Sequence, residues 1–285
     1  MSEGGIRLGV RRTTGARRLG VPHSSAARRP VAVGTHYPGD PDALATTITR
    51  LVDSVTIPAS DRLAQVYIVP HAPLARSGAL AARVYARLRA HRAEVRRVLV
   101  LGPSHVPETQ GCVVTRARSF ETPLGECRVD RDVITMLEAD GHVRVDSALH
   151  NSEHSLEVQL PFLQVALPGV PIVPMIVAAT GSDDVVLTLS AIMEFIEASD
   201  ETPAGTVIVA SAELTGGPSD SRTMDAVFDL APSRIGIRDV CGAYTLRGVL
   251  GWAAHHDLHA ELLGADAGYI ACALHDWLSE DEPSD

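Results

Sequence analysis

The sequence predicts a single α/β domain with a central, mostly parallel sheet flanked by helices. Three continuous runs of Val, Ile and Leu, at 66–70, 98–101 and 206–210, are bounded by turn residues, which is typical of strands buried on both faces. Apolar residues at helical spacing over 77–88 separate the first two runs. A strand, a helix and a strand in this order imply a right-handed crossover between parallel strands.

The remaining elements follow from the same periodicities. A helix is predicted over 42–55, and the Ser77 hydroxyl is expected to cap the helix that follows the first strand. Residues 112–115 and 126–129 flank a Thr-Pro-Leu-Gly turn, which predicts a hairpin inserted above the sheet. The rest of the chain is predicted to alternate between helices at 130–139, 153–166, 183–198 and 241–256 and strands at 171–177, 206–210 and, late and antiparallel, 269–274.

Charge is unevenly distributed along the chain. The formal net charge is −10 over 285 residues, yet residues 1–30 hold seven arginines against one glutamate. We expect 1–30 to be a disordered basic tail, with a transit peptide or an overextended start as alternatives. Residues 31–278 are predicted to form the domain and 279–285 an acidic tail. An acidic domain of this kind argues against nucleic acid as a partner.

Composition also excludes several kinds of chemistry. All 25 basic side chains are arginines, so Schiff-base chemistry, a Walker lysine and a Ser-Lys dyad are excluded. The four cysteines are dispersed and form no CxxC pair, which fits a reducing cytoplasm rather than a disulfide scaffold or a zinc ribbon. No apolar stretch approaches the roughly 18 residues of a membrane span. We therefore expect a soluble, cytoplasmic protein with no membrane partner.

Two histidines follow two of the predicted strands. His71 comes directly after the strand 66–70, and His105 follows the strand 98–101 across Gly-Pro-Ser. The carboxyl ends of strands in open α/β sheets are where ligands and cofactors bind. Iron(II), zinc and copper accept imidazole nitrogen, so the two side chains are candidates for a shared metal site. A structural or surface role for each histidine is the alternative.

A cysteine and a carboxylate lie at comparable positions. Cys241 begins the predicted helix 241–256, where the helix dipole favours a thiolate and hence a nucleophile or a soft metal ligand. A small buried residue at a helix start is the alternative. Glu213 follows the strand 206–210 and is expected at the same sheet edge as the two histidines, with glycines after it that let the backbone approach a ligand.

A polar group opens the predicted helix 153–166. His154 and Glu157 are three residues apart and are expected on one helix face. Such a pair can ligate a metal, support a ligand or lie on the surface, and the spacing leaves all three open. His150, just before the helix, adds a third polar group at that end.

Six short motifs occur in order along the chain: Gly34-Thr35-His36-Tyr37-Pro38, Pro70-His71-Ala72, Gly102-Pro103-Ser104-His105, Thr122-Pro123-Leu124-Gly125, a Glu-His-Ser-Leu-Glu-Val-Gln-Leu-Pro-Phe-Leu string at 153–163, and Cys241-Gly242. This series resembles the Memo family, whose bacterial members are called AmmeMemoRadiSam system protein B. The likeness covers roughly residues 30–275, and the fourth-strand and hairpin segments fall within it.

The resemblance implies a fold like that of the class III extradiol dioxygenases and a metal site made by His71, His105 and Cys241. Two histidines and one anion with open positions are the set with which non-haem iron binds oxygen and substrate together. The resemblance thus implies iron(II) as cofactor, with copper as the alternative because a thiolate also admits copper(I). It further implies a small-molecule substrate and proteins of a radical-SAM system as partners.

The chain departs from the family pattern in three places. Pro73-Leu74 stands where members usually have Gly-Tyr, and His36 stands where they have Trp. After the fourth strand the acid is kept as Glu213, but Gly216 replaces a histidine that corresponds to the base of ring-cleaving relatives. Proton abstraction would then need another group, for which His154 and His150 are the candidates.

These features predict a non-haem metal-dependent oxidoreductase, related to extradiol dioxygenases, that acts on a small molecule, with aromatic compounds among the candidates. His154, Glu157, Glu213 and His150 are expected to surround the metal or act as acid and base. A metal-binding or adaptor protein without turnover is the first alternative, because the lost histidine permits it. A hydrolase that uses a metal-bound water is the second.

Overall fold

A large mixed sheet forms the centre of the molecule in the computed structural model, which describes residues 27–106, 109–199, 205–217, 219–266 and 268–276. Within these residues eight strands follow the order β11-β12-β1-β8-β2-β7-β3-β6, and β4 with β5 and β9 with β10 form two-stranded pairs. The strands are β1 Val66–Val69, β2 Arg97–Pro103, β3 Cys112–Val114, β4 Ser119–Thr122, β5 Gly125–Arg128, β6 Arg144–Val145, β7 Ile172–Val177, β8 Thr206–Ser211, β9 Glu213–Leu214, β10 Val240–Cys241, β11 Leu258–Asp266 and β12 Tyr269–Asp276.

The middle of the sheet is parallel, as predicted. Strand β8 pairs in parallel with both β1 and β2, and β2 pairs in parallel with β7. Nearly every residue of these four strands is buried, which explains their continuous Val, Ile and Leu content. Strand β12 pairs antiparallel with β1, which confirms the predicted late antiparallel strand. The carboxyl ends of β1, β8 and β2 therefore lie side by side.

Helices flank this sheet, and the fold class is the predicted one. They are α1 Pro41–Asp53, α2 Leu74–Ala90, α3 Arg131–Asp140, α4 Ser147–Ser152, α5 Leu160–Ala166, α6 Ser182–Ser199, α7 Asp220–Phe228 and α8 Ala243–His255. Helices α1, α2 and α5 pack against one another, and α6 packs against α8 and α3. Asp40 caps α1 by accepting the Ala43 N–H at 2.8 Å. None of the helices in the described part of the chain is long and apolar enough to cross a membrane.

The predicted helix over 153–166 is wrong. Helix α4 ends at Ser152, Glu153 is extended with φ −95° and ψ 135°, a 3₁₀ turn spans Glu157–Gln159, and α5 begins only at Leu160. The cause is local, because the Glu153 carboxylate accepts the next two backbone N–H groups at 2.8 Å each. Such side-chain acceptors compete with the helical hydrogen bonds. His154 and Glu157 are therefore not on one helix face.

Three further boundaries differ from the prediction. The hairpin is made by β4 and β5, whereas 112–114 belongs to the main sheet between β7 and β6. Helix α2 begins right after Pro73, which cannot donate a backbone hydrogen bond, and the Ser77 hydroxyl donates to the Ala72 carbonyl from inside the helix instead of capping it. Helix α8 starts two residues after Cys241.

The described part of the chain includes residues before the predicted domain start at residue 31. Arg28 is only 2% exposed and forms a bridge with Phe120 of β4. The predicted basic tail therefore includes a residue that is part of the core. Residues 1–26 and 277–285, which make up nearly all of the two predicted tails, lie outside the described residues.

Candidate metal centre

His71 lies at the edge of the sheet, just after the end of β1. Pro70 follows the strand, and the His71 backbone N–H donates to Glu213 Oε1 at 2.7 Å, which ties the exit of β1 to the exit of β8. The ring is buried, with 3% of the residue exposed. Its Nε2 lies 3.3 Å from the Cys241 Sγ. The structure thus places His71 at the sheet edge, where it was expected.

The last residue of β8 fixes the tautomer of His71. Ser211 Oγ donates to the Ser155 carbonyl at 2.9 Å and accepts from the Gln159 side chain at 3.1 Å. Its single proton is used, so the remaining lone pair must accept from His71 Nδ1, 3.1 Å away. The proton of a neutral His71 ring is then on Nδ1, and the lone pair of Nε2 points toward the thiol.

Glu153 holds His105 at two points. Strand β2 runs on to Pro103, and two residues later Glu153 Oε2 accepts the His105 backbone N–H at 2.7 Å. Glu153 Oε1 lies 2.8 Å from His105 Nδ1, which must donate because the carboxylate only accepts. The ring is thereby turned so that its Nε2 lies 3.2 Å from Cys241 Sγ.

A short strand pair and a glycine position Cys241. Strand β10 pairs antiparallel with β9, which places Cys241 opposite Glu213. Gly242 follows with φ 93°, and a Cβ there would meet the Ser211 carbonyl oxygen at 2.9 Å. Only glycine tolerates both that backbone conformation and that close approach. The Cys-Gly sequence thus lets the thiol reach the rim between the two imidazoles before α8 begins.

The three donor atoms fit a metal ion. The ligand atoms of His71, His105 and Cys241 lie within 4.8 Å of one another. Both Nδ1 atoms are engaged away from the thiol, so both Nε2 atoms are left to face a common point. Outer hydrogen bonds of this kind orient metal-binding histidines in known sites. Two imidazoles and one thiolate suit a borderline or soft metal such as iron, copper or zinc.

The two imidazoles have opposite electrostatic environments. Burial, reinforced by the nearby His105, lowers the pKa of His71 to about 3, so this ring is neutral at pH 7. Hydrogen bonds to Cys241 and to Glu153 raise the pKa of His105 to about 10. Burial raises the pKa of Glu153, but the bonds from His105 and from backbone N–H groups outweigh it and bring the value to about 2.

Two more histidines line the approach to the cluster. The His154 ring stacks on His105 with centroids 4.4 Å apart and 18° between the planes, and the His36 ring lies 4.5 Å from His154. Burial, followed by the charge on His105, lowers the pKa of His154. Burial also lowers the pKa of His36. His154 therefore lies beside the cluster, on a loop and not on the predicted helix.

The other two acid–base candidates are held by partners other than the three candidate ligands. Glu157 is fully buried, where it pairs with the Arg28 guanidinium and accepts the Val31 and Ala32 N–H groups at 2.8 Å each. The His150 ring is buried against Phe120, with its Nε2 3.0 Å from the Val113 carbonyl. The geometry gives both a role in packing, which argues against their predicted acid–base role.

Glu213 lies at the edge of the site, and its carboxylate accepts hydrogen bonds from backbone N–H groups. It accepts the His71 N–H, and burial raises its pKa even though backbone N–H donors of His71 and Ala72 oppose this. Its neighbour across the β9–β10 pair is Cys241. Glu213 thus joins the two segments that carry His71 and the thiol.

Sequence reasoning missed Glu153 and Ser211. Both orient a candidate ligand, and neither was among the predicted site residues. A signal existed for Glu153, since it stands directly beside His154 in the 153–163 string. No spacing rule pointed to Ser211, because only the parallel pairing of β8 between β1 and β2 brings it under His71.

The fold and this cluster define an α/β protein, consistent with the class III extradiol dioxygenase type, with a candidate metal centre at the carboxyl edge of its sheet. The model of the family described as Memo-like protein matches residues 28–216. A MEMO1 family protein of Thermococcus onnurineus is 32% identical over 192 residues, which cover 66% of this chain and 64% of the relative.

Two other relatives give the same result. A MEMO1 family protein of Archaeoglobus fulgidus is 29% identical over 187 residues, covering 66% of this chain and 67% of the relative. The protein memo-1 homolog of Caenorhabditis elegans is 34% identical over 151 residues, covering 51% and 41%. The chain therefore belongs to the Memo family.

Proposed function

We propose that this protein is a non-haem metal-dependent oxidoreductase that binds one metal ion through His71, His105 and Cys241 and acts on a small molecule. The proposal rests on the position of both Nε2 atoms, which lie next to the Cys241 thiol. Both Nδ1 atoms are hydrogen-bonded on the opposite side of their rings, to Glu153 and Ser211. Iron(II) is the preferred metal, because two histidines and one anion form the set that non-haem iron uses; copper is the second, because a thiolate in place of a carboxylate softens the site. The bound metal would supply redox chemistry and open positions for oxygen and substrate.

His154 is the group best placed to take a proton from a substrate. Its ring stacks on His105, and its lowered pKa leaves it neutral at pH 7 and able to accept. His154, a loop residue, would thus act as the base in place of the family histidine that Gly216 replaces. Glu213 and Glu153 keep the imidazoles in position and do not themselves need to transfer protons.

Metal loading tests the ligand set. Full-length protein is incubated anaerobically with iron(II), and in parallel with copper(I), and metal content is measured after desalting. We expect about one metal per chain in the wild type and a large loss in Cys241→Ala. Cys127→Ala, which removes a thiol from the β4–β5 hairpin, is the matched control and is expected to keep the metal. Equal metal content in all three proteins would refute the ligand set.

Oxygen uptake with a series of catechols then tests turnover. We expect uptake in the iron-loaded wild type and about a 10²- to 10⁴-fold lower rate in His154→Gln at unchanged metal content, as for loss of a general base. His142→Gln, on the surface beside Asp140, is the control. Metal binding without any oxygen uptake would favour a non-catalytic metal-binding or adaptor protein. Metal-dependent turnover of esters or amides would favour a hydrolase.

Membership of the family also suggests proteins of a radical-SAM system as partners. Co-purification of the tagged chain with a radical-SAM protein from its own host would support this part of the proposal. Its absence would leave the metal centre unaffected, because the three ligands all come from this chain.

A further inference from the structure

A chain of hydrogen bonds runs through the core from helix α2 to the back of His71. Its members are Tyr85, Gln159, Ser211 and His71, and each of the first three residues is at most 1% exposed. The Tyr85 hydroxyl lies 2.7 Å from Gln159 Oε1, and Gln159 Nε2 lies 3.1 Å from Ser211 Oγ. The last contact, between Ser211 Oγ and His71 Nδ1, is also 3.1 Å. Residues 52 to 140 positions apart in the sequence are thereby joined behind a candidate metal ligand.

The orientation of the Gln159 amide follows from the carbonyl group of Pro70. One end of the amide lies 2.9 Å from the Pro70 carbonyl oxygen, which can only accept, so this end must be the NH₂ group. The other end is then the oxygen, and the Tyr85 hydroxyl must donate to it. Burial raises the pKa of the Tyr85 phenol well above its usual range, so this proton stays in place. The direction of the hydrogen bond from Tyr85 to Gln159 is therefore fixed.

Gln159 holds the segment of His71 at two points. One amide hydrogen goes to the Pro70 carbonyl, which belongs to the peptide bond that precedes His71. The second hydrogen goes to Ser211 Oγ, which lies behind the His71 ring. The Ser211 proton is used on the Ser155 carbonyl, so the hydroxyl oxygen has one lone pair left for His71 Nδ1. A single side chain thus contacts both the backbone of this candidate ligand and the hydroxyl that binds its ring.

We propose that Gln159 and Tyr85 are positioning residues of the candidate metal centre, which act through Ser211 to keep the His71 proton on Nδ1 and to leave Nε2 free for the metal. Without the amide, Ser211 Oγ would lose one of its three partners and could rotate away from the ring. The alternative is a chain that only satisfies buried polar groups, in which case its loss would leave His71 unchanged. The consequence for metal binding rests on the proposed function, whereas the tautomer of His71 is a property of the metal-free chain.

Two variants interrupt the chain at different points. Gln159→Met keeps a side chain of similar length but loses all three hydrogen bonds, whereas Tyr85→Phe loses one and keeps a ring to stack on Phe162, 4.8 Å away between centroids. Long-range ¹H–¹⁵N spectra of the full-length, metal-free protein report the tautomer of His71, and competition with a chelator gives the iron(II) affinity. We expect a mixture of tautomers and about tenfold weaker iron(II) binding in Gln159→Met, as for the loss of other groups that orient a ligand. A smaller change in the same direction is expected in Tyr85→Phe.

Tyr67→Phe is the matched control. Tyr67 is equally buried and stands on β1, the strand that leads to His71, but its hydroxyl accepts the Ala64 N–H at 3.1 Å instead of joining the chain. Because each tyrosine variant loses one buried hydrogen bond, both are expected to lower the urea midpoint of unfolding by a similar amount. Only Tyr85→Phe is expected to shift the ¹⁵N resonances of His71 and to weaken iron(II) binding, since a purely structural role would not distinguish the two variants.

Three outcomes would overturn the inference: unchanged His71 ¹⁵N resonances in folded Gln159→Met, equal resonances in the two tyrosine variants, or an altered tautomer with unchanged iron(II) affinity. If Gln159→Met does not fold, the comparison of Tyr85→Phe with Tyr67→Phe decides alone. The metal content of the wild type separates this result from the proposed function. A tautomer change in a protein whose wild type takes up neither iron(II) nor copper(I) would support the positioning of His71 and refute the metal centre.

Discussion

Glu153 contacts His105 through both carboxylate oxygens, one on the backbone N–H at 2.7 Å and one on the ring Nδ1 at 2.8 Å. The same side chain accepts the N–H groups of His154 and Ser155. One carboxylate therefore fixes the exit of β2, the orientation of a candidate ligand and the loop that carries the stacked His154. Its position explains why the chain is not helical at 153–156.

We expect Glu153→Gln to weaken metal binding by about 10- to 100-fold, the usual effect of losing a group that orients a ligand. An amide keeps the shape but lacks the charge that matches the His105 ring. The affinity for iron(II) is measured by competition with a chelator. Glu94→Gln, with a side chain 60% exposed, is the control. An unchanged affinity in Glu153→Gln would show that Glu153 serves the loop alone.

Ser211→Ala is expected to remove the acceptor that holds the proton of His71 on Nδ1. The ring would then be free to place its proton on Nε2 and turn that nitrogen away from a ligand role. Long-range ¹H–¹⁵N NMR spectra of the metal-free protein report the tautomer. We expect the Nδ1–H form of His71 in the wild type and a mixture in the variant, with weaker metal binding. A pure Nε2–H form in the wild type would contradict the assignment.

Arg28→Met is expected to destabilise the fold by about 3–5 kcal/mol, the cost of leaving one member of a buried ion pair without its partner. Arg28 pairs with Glu157 and also donates to the His150 and Glu153 carbonyls, so it links the amino-terminal segment to the loop behind the site. Urea unfolding measures the change. The neighbouring exposed Arg29→Met is the control, expected within about 0.5 kcal/mol of wild type.

The reverse result is informative about the domain start. If Arg28→Met were as stable as Arg29→Met, the amino-terminal segment would contribute nothing to the fold, and the domain would begin at residue 31 as the sequence suggested. The double variant Arg28→Met with Glu157→Gln is expected to recover part of the loss, because it no longer buries an unpaired charge.

His150 makes stability depend on pH. Burial lowers the pKa of its ring from 6.5 to about 4. Between pH 6.5 and about pH 4 the His150 ring is protonated in the unfolded chain but neutral in the folded chain. His150 therefore leaves the stability unchanged above pH 6.5 and lowers it as the pH decreases below 6.5. From pH 7 to pH 5 we expect this residue to cost about 2 kcal/mol. The free energy of unfolding of His150→Gln should fall less over that range, whereas parallel curves for the two proteins would contradict the assignment.

Local periodicity predicted most of the fold because the parallel strands are continuous apolar runs. Strands β1, β2, β7 and β8 and helices α1, α3 and α6 lie within a few residues of their predicted positions. Two of the errors occur where one side chain changes the local hydrogen bonding. Glu153 ends a predicted helix by binding the N–H groups after it, and Pro73 starts α2 early. Periodicity alone does not report such contacts.

The candidate site was predicted in part for the same reason. His71 and His105 follow strands whose parallel pairing could be expected, so their shared edge was predictable. The helix start marked Cys241 as a possible ligand, but only the family likeness joined it to the two histidines, since the β9–β10 pair and the left-handed Gly242 are what bring it back to that edge. Sequence proximity to His154 does not reveal which way a side chain points, and the structure holds Glu157 in an ion pair with Arg28 and the His150 ring against Phe120.

The sequence alone determined the parallel α/β sheet, the two histidines at its edge and the family, because these depend on residue types at short, regular spacing. Tertiary structure decided which polar side chains serve the site. Glu153 and Ser211 orient the two rings, whereas Glu157 and His150 are buried against other parts of the fold. Glu153 is 48 residues from His105, and Ser211 is 140 residues from His71. Contacts over such separations exist only once the strands have paired.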